Sequence, residues 1–184
     1  MPLIESIATL SPREYEIAVK SILERVGVSL SEFSTRHLEK ISGFDGSYII
    51  DVTARFNAIG ADFLVLVECK HERRKVERQD VQVLHDKVHS TGAQKGMLFS
   101  VAGFQEGAIK YADVHGIALV QLADAGTSWF TRSIVPPSLP LPRVNIPKYI
   151  GWWCHGNSMS VMSSENGEYT RKALGIPADP PEAK

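Results

Sequence analysis

The stretch Asp62-Phe63-Leu64-Val65-Leu66-Val67-Glu68-Cys69-Lys70 sets apolar residues side by side and then closes in charge. A strand with one wet face alternates apolar with polar, so an unbroken apolar run has no solvent side and belongs in the middle of a sheet covered on both faces. The preceding segment does alternate. Tyr48, Ile50, Val52, Ala54 and Phe56 are interleaved with Ile49, Asp51, Thr53 and Arg55, which predicts a strand with its apolar residues on one face and Asp51 on the other. Asn57 to Ala61 is a short connection containing Gly60, so the two strands are expected to pair antiparallel. Gly43-Phe44-Asp45-Gly46 carries the turn chemistry of an earlier hairpin, after a mainly polar segment from Ser34 to Gly43.

Helices are expected on either side of these strands. Ser11-Pro12-Arg13-Glu14 combines a Ser N-cap, Pro at the first helical position and Glu14 placed to complete a capping box. Tyr15, Ala18, Val19, Ile22 and Leu23 then recur at helical spacing until Gly27. Val81, Leu84 and Val88 mark a second helix from Asp80, stopped near Gly92. A strand over Lys95 to Val101, a helix over Gln105 to His115 and a strand over Ile117 to Leu122 follow. The order α-β-β-β-α-β-α-β predicts an α/β fold, a mixed β-sheet flanked by helices. Beyond Leu122 the regularity fades. Pro136-Pro137, Pro140 and Pro142 imply extended chain, Trp152-Trp153-Cys154-His155 is expected to pack at a core edge, and Ile176 to Lys184 to be peripheral. Residues 1–125 are therefore expected to form one domain and 126–184 a Pro-rich, Trp-containing, partly disordered extension.

Hydrophobic residues make up 43% of the 184 residues, enough for a real core. No run reaches the roughly 18 to 20 apolar residues of a membrane helix, and Met1-Pro2-Leu3-Ile4-Glu5 lacks the cationic start of a secretory signal, so no membrane partner and a cytoplasmic location are expected. Cys69 and Cys154 lie far apart and are expected as reduced thiols. A net charge of -1 argues against bulk attraction to nucleic acid. Binding of that kind must rest on a local patch, for which Lys70, Arg73, Arg74, Lys75 and Arg78 are available, interleaved with Glu72, Glu77 and Asp80.

The chemistry concentrates at the end of the apolar strand. Glu68 and Lys70 are two residues apart and share a face, with α-carbons roughly 6.6 Å apart. An antiparallel neighbour brings the Asp51 carboxylate beside Glu68. Two carboxylates with nearby carbonyls suit Mg²⁺, which takes few protein oxygens and keeps several waters. The alternative is that Asp51 is bonded in a turn and Glu68 and Lys70 form a surface ion pair; both readings fit these residues taken alone. Asp45 and Asp62, in a turn and at a strand entrance, read as structural.

Gly43-Phe44-Asp45-Gly46-Ser47-Tyr48-Ile49-Ile50-Asp51, Val67-Glu68-Cys69-Lys70, Gly92-Ala93-Gln94-Lys95-Gly96, Ser100-Val101-Ala102-Gly103-Phe104, Tyr111-Ala112 and His115-Gly116-Ile117 together resemble the PD-(D/E)XK nuclease superfamily, and within it the Mrr-like restriction endonuclease group, from Ser11 to Leu122. The resemblance implies a restriction-endonuclease-like core and Mg²⁺- or Mn²⁺-dependent hydrolysis of DNA. It implies Asp51 and Glu68, with the Cys69 backbone carbonyl, as metal ligands, Lys70 as the catalytic lysine and Glu16 as acidic support for the metal. Ile50 stands where the superfamily name has Pro. Arg73, Arg74, Lys75 and Gln82 are candidate DNA contacts, Gln82 and His85 either face the site from their helix or simply solvate a helix face, and a homodimer would bring a second active site. The competing readings are a non-catalytic DNA-binding or scaffolding domain that keeps the fold, and a zinc protease using His85 and His89 at i and i+4, in which Asp86 stands where Glu is required. Trp152-Trp153 could stack on bases, though adjacent tryptophans more often cover a core.

Overall fold

The computed structural model describes residues 7–27, 30–124, 149–155, 158–162 and 173. The expected extended segment around Pro136 to Pro142 and the end from Ile176 to Lys184 lie outside the described residues. After a 3-10 turn at Ile7–Thr9, the elements are α1 Pro12–Gly27, β1 Ser31–Ser42, β2 Ser47–Ala58, β3 Ala61–Lys70, α2 Arg78–Thr91, β4 Lys95–Ser100, α3 Glu106–His115 and β5 Ala118–Asp124, then β6 Tyr149–His155 and β7 Ser158–Met162. No helix among the described residues is long and apolar enough to cross a membrane.

Local chemistry explains the ends of these elements. Ser11 N donates to Glu14 Oε2 at 2.7 Å and Glu14 N to Ser11 Oγ at 3.3 Å, the reciprocal pair that starts α1. Glu77 N donates to the Asp80 carboxylate at 3.0 Å, which lets α2 begin before the expected Asp80. Gly92, in the left-handed region at φ 71°, ends it.

The seven strands lie in the order β1-β2-β3-β4-β5-β6-β7. The hairpins β1-β2-β3 are antiparallel, β3, β4 and β5 are parallel, and β6 and β7 return antiparallel, giving the expected mixed sheet. The sheet thus continues into the region after residue 125. There Trp153 packs against the core and Cys154 is buried.

Each face of the sheet carries its own core. Tyr15, Val19 and Leu23 of α1 cover Val52, Ala54, Phe56, Val65, Val67, Met97 and Phe99 on one face. Val81 and Leu84 of α2, with Ala108 and Ala112 of α3, cover Leu66, Leu98 and Leu119 on the other. The β3 run is apolar throughout because both of its faces are sealed. Helix α2 sits so close to β4 that a Cβ on Gly96 would lie 2.8 Å from Ile117 Cδ1 and 3.0 Å from Val88 Cγ2.

One expectation fails in β2. Tyr48 and Ile50 pack on the α2 face, whereas Val52, Ala54 and Phe56 pack on the α1 face, so the alternation turns over at Asp51. Opposite Asp51 in register, Leu38 has φ 51°, and no pair joins the two residues between His37↔Val52 and Glu39↔Ile50. The left-handed residue and the turn-over of β2 thus fall at the same level of the sheet.

Leu98 is fully buried in the middle strand. Leu98→Ala is expected to cost about 2–5 kcal/mol, read as a lower urea midpoint with an unchanged denaturant slope.

Candidate active site

The site is built where two strands part. Val52↔Val67 is the last pair between β2 and β3. Beyond it β3 continues on β4, with Glu68↔Leu98, Cys69↔Phe99 and Lys70↔Ser100, while β2 stays with β1 through Glu39↔Ile50. Asp51 stands at the fork. The Cys69 N–H, on a strand that has lost its β2 neighbour, donates to Asp51 Oδ2 at 2.7 Å.

Strand alternation turns Glu68 and Lys70 toward α2, and that helix answers both. Lys87 Nζ donates to Glu68 Oε1 at 2.6 Å, and Lys70 Nζ lies 3.5 Å from Asp80 Oδ1. From the other side α1 supplies Glu16, whose Oε2 is 2.6 Å from His37 Nε2 on β1. Asp51 therefore feels the charges of Glu16, Lys87 and Lys70, and Glu68 those of Asp51, Lys87 and Lys70.

Burial is the main reason the Asp51 carboxyl is held above the usual carboxylate range, with the Glu16 charge adding to it against the Cys69 hydrogen bond and Lys87 and Lys70. Glu68 is raised by burial first and then by Asp51, against its bond to Lys87 and the charge of Lys70. The Cys69 thiol is pushed well up by burial and by the charges of Asp51, Glu16 and Glu68, so it is held as an inert thiol. Four carboxylates, Asp51, Glu68, Glu16 and Asp80, stand here with two ammonium groups, Lys70 and Lys87. Among the described residues no three His, Cys, Asp or Glu side chains form a ready metal cage. Two carboxylates with main-chain oxygen are the sparser set that suits Mg²⁺, which keeps much of its water.

The remaining candidates separate. Arg73 and Lys75 are exposed on the loop before α2, with no ion pair among the described residues. Arg74 is tied to acids, 2.8 Å from Glu72, 3.2 Å from Asp80 and 3.8 Å from Glu77. Gln82 is half-buried on α2. His85 does not face the site: its Nδ1 is 3.0 Å from Tyr111 Oη, and its ring lies 4.4 Å from that of His115 at a tilt of 47°, because it lies about 100° round the helix from Leu84 and meets α3. His85 and His89 meet ring to edge at 4.6 Å. Asp45 accepts from Tyr48 Oη at 2.7 Å and from Ser90 Oγ, and Asp62 from Asn57 Nδ2 at 3.3 Å, so both serve turns, as expected. Two residues at the site had gone unnoticed in the sequence. Lys87 shares a helical stripe with Asp80, a spacing that was available to be read; His37 gave no signal in a polar strand.

A helix-flanked mixed sheet, with Asp51 and Glu68 where the pairing of β2 and β3 stops, is a restriction-endonuclease-like fold. Residues 7–125 match the Mrr_cat family, described as restriction endonuclease, and the chain belongs to that family. The crystal structure of AF1548, a protein of unknown function, aligns with a TM-score of 0.49 and 20% identity over 59% of this chain; the match spans 57% of that protein. No curated protein matches the sequence.

Because the Asp51 carboxyl is raised in the fold, its contribution to stability is present below its unfolded pKa and lost as pH rises through the folded one. Asp51→Asn keeps an oxygen for the Cys69 N–H. In buffer free of divalent ions it is expected to be more stable than wild type at neutral pH, with the difference closing as pH falls to about 3. Paired thermal melts across that range check this, and a more stable wild type at neutral pH contradicts it.

Proposed function

We propose that this chain is a divalent-metal-dependent endodeoxyribonuclease that hydrolyses DNA phosphodiester bonds through Asp51, Glu68 and Lys70. The observation that carries the reading is the meeting of Asp51, at the strand fork, with Glu68 and Lys70 on the neighbouring strand, inside the family-matched region.

In this reading the Asp51 and Glu68 carboxylates and the Cys69 carbonyl hold Mg²⁺ or Mn²⁺, with Glu16 supporting them from α1. The ion supplies Lewis-acid polarisation of the phosphate and makes a water more acidic. Lys70, two residues from Glu68 on the same face, balances the charge that grows on the phosphoryl oxygens and orients the attacking water. Asp80 keeps the Lys70 ammonium at that wall. Water oxygen bonds to phosphorus as the phosphorus–sugar oxygen bond breaks, and the leaving sugar oxygen takes up a proton. No covalent enzyme intermediate is needed, in keeping with an inert Cys69 thiol.

Arg73 and Lys75 serve as phosphate contacts, since neither has an ion pair among the described residues; Arg74, held by three acids, contributes less. Gln82 is a further contact on α2. Residues 1–125 carry the catalytic unit, the segment from 126 adds to the sheet, and a homodimer supplies a second active site for the second strand.

Asp51→Ala, Glu68→Ala and Lys70→Ala are each expected to lower the DNA cleavage rate at least about 10²-fold, with an unchanged circular dichroism spectrum. Undiminished cleavage by Lys70→Ala sinks the mechanism. A wild type that binds DNA but cuts none with Mg²⁺ or Mn²⁺ hands the chain to the non-catalytic reading. Either ion should also raise the melting temperature of wild type and not of Asp51→Asn, because a ligand that binds only the folded state stabilises it.

A further inference from the structure

Lys87 is the cation closest to the proposed metal ligands, and nothing in the mechanism above uses it. Its Nζ is 2.6 Å from Glu68 Oε1, and the two side chains are only 19% and 15% exposed. An ammonium at that distance neutralises the carboxylate that would otherwise attract a divalent ion. The two cations compete for one carboxylate, and a half-buried pair is costly to open without replacement. The other lysine of the site is already held, Lys70 by Asp80. Once Glu68 turns to a metal, Lys87 is left on the wall of the site with three hydrogen-bond donors and a flexible four-carbon stem.

We propose that Lys87 is a placeholder cation: it neutralises Glu68 while the site is empty, yields that carboxylate to the divalent ion, and then becomes a contact for a DNA phosphate. This rests on the nuclease reading of Asp51 and Glu68. It couples the two ligands. Metal binding frees the lysine that grips DNA, so DNA is held best by metal-loaded protein, and by linkage DNA tightens the hold on the metal.

The test uses the full chain and two measurements besides cleavage. Mn²⁺ binding without DNA is measured by titration calorimetry for wild type, Lys87→Met and Asp51→Asn. Lys87→Met is expected to bind Mn²⁺ severalfold tighter than wild type, having no ammonium to displace, and Asp51→Asn to lose binding. Duplex DNA binding is then measured against salt with Ca²⁺ present. Here Lys87→Met is expected to bind more weakly and to lower the slope of log affinity against log salt by about one. A lysine that only pairs with Glu68 would leave the salt slope of DNA binding unchanged. If Lys87→Met fails to fold by circular dichroism, Lys87→Gln, which can still hydrogen-bond Glu68, is read for the same two changes. Mn²⁺ affinity no higher than wild type, or an unchanged salt slope, overturns the inference alone; a wild type that binds no Mn²⁺ overturns the metal reading beneath it.

Discussion

The hydrogen bond from the Cys69 N–H to Asp51 Oδ2 is the contact on which the site's geometry depends. Two strands that separate inside a protein leave main-chain donors without partners, and an unpaired buried donor costs about 1–3 kcal/mol. Asp51 removes that cost and is fixed in doing so. Its carboxylate cannot follow the ordinary alternation of β2, because the strand has turned over at that level opposite the left-handed Leu38. The fork, the turn-over and the carboxylate position are one structural event.

Around that point the two helices act on different charges. Helix α1 brings Glu16, which sharpens the crowding of negative charge at Asp51. Helix α2 brings Lys87 and Asp80, which take hold of Glu68 and Lys70. The site is held together by pairs across elements, and burial raises the Asp51 and Glu68 carboxyls. Holding these two carboxyls raised costs the fold stability at neutral pH.

The framework carrying this site is rigid for a simple reason. Parallel strands β3, β4 and β5 are sealed on both faces, and a close helix-to-sheet approach at Gly96 leaves little room for α2 to shift. His85 and Tyr111 add a seam between α2 and α3 on the side away from the fork. Of the two histidines that resembled a zinc-protease helix in sequence, His85 is thus occupied in holding α2 to α3, and His89 meets the His85 ring on its own helix.

Local patterns determined much of this by themselves. The apolar run of β3 demanded a doubly covered strand, Ser11 and Glu14 fixed where α1 begins, and the spacing of Glu68 and Lys70 put both on one face. Each depends on neighbours in the chain, through strand pleat, helix period or capping. The tertiary structure decided what depends on distant partners. Alternation alone kept Tyr48 and Ile50 with Val52, but the strand turns over where β2 leaves β3. His85 could equally have faced the site until α3 packed against it. Lys87 meets Glu68 only because α2 folds back over the strand that precedes it. Strands β6 and β7 carry weak local signals, since their pairing is with β5 and with one another. A sequence records which side chains are available; only packing decides which of them end within 3 Å of a carboxylate 19 positions away, as Lys87 does from Glu68 at 2.6 Å.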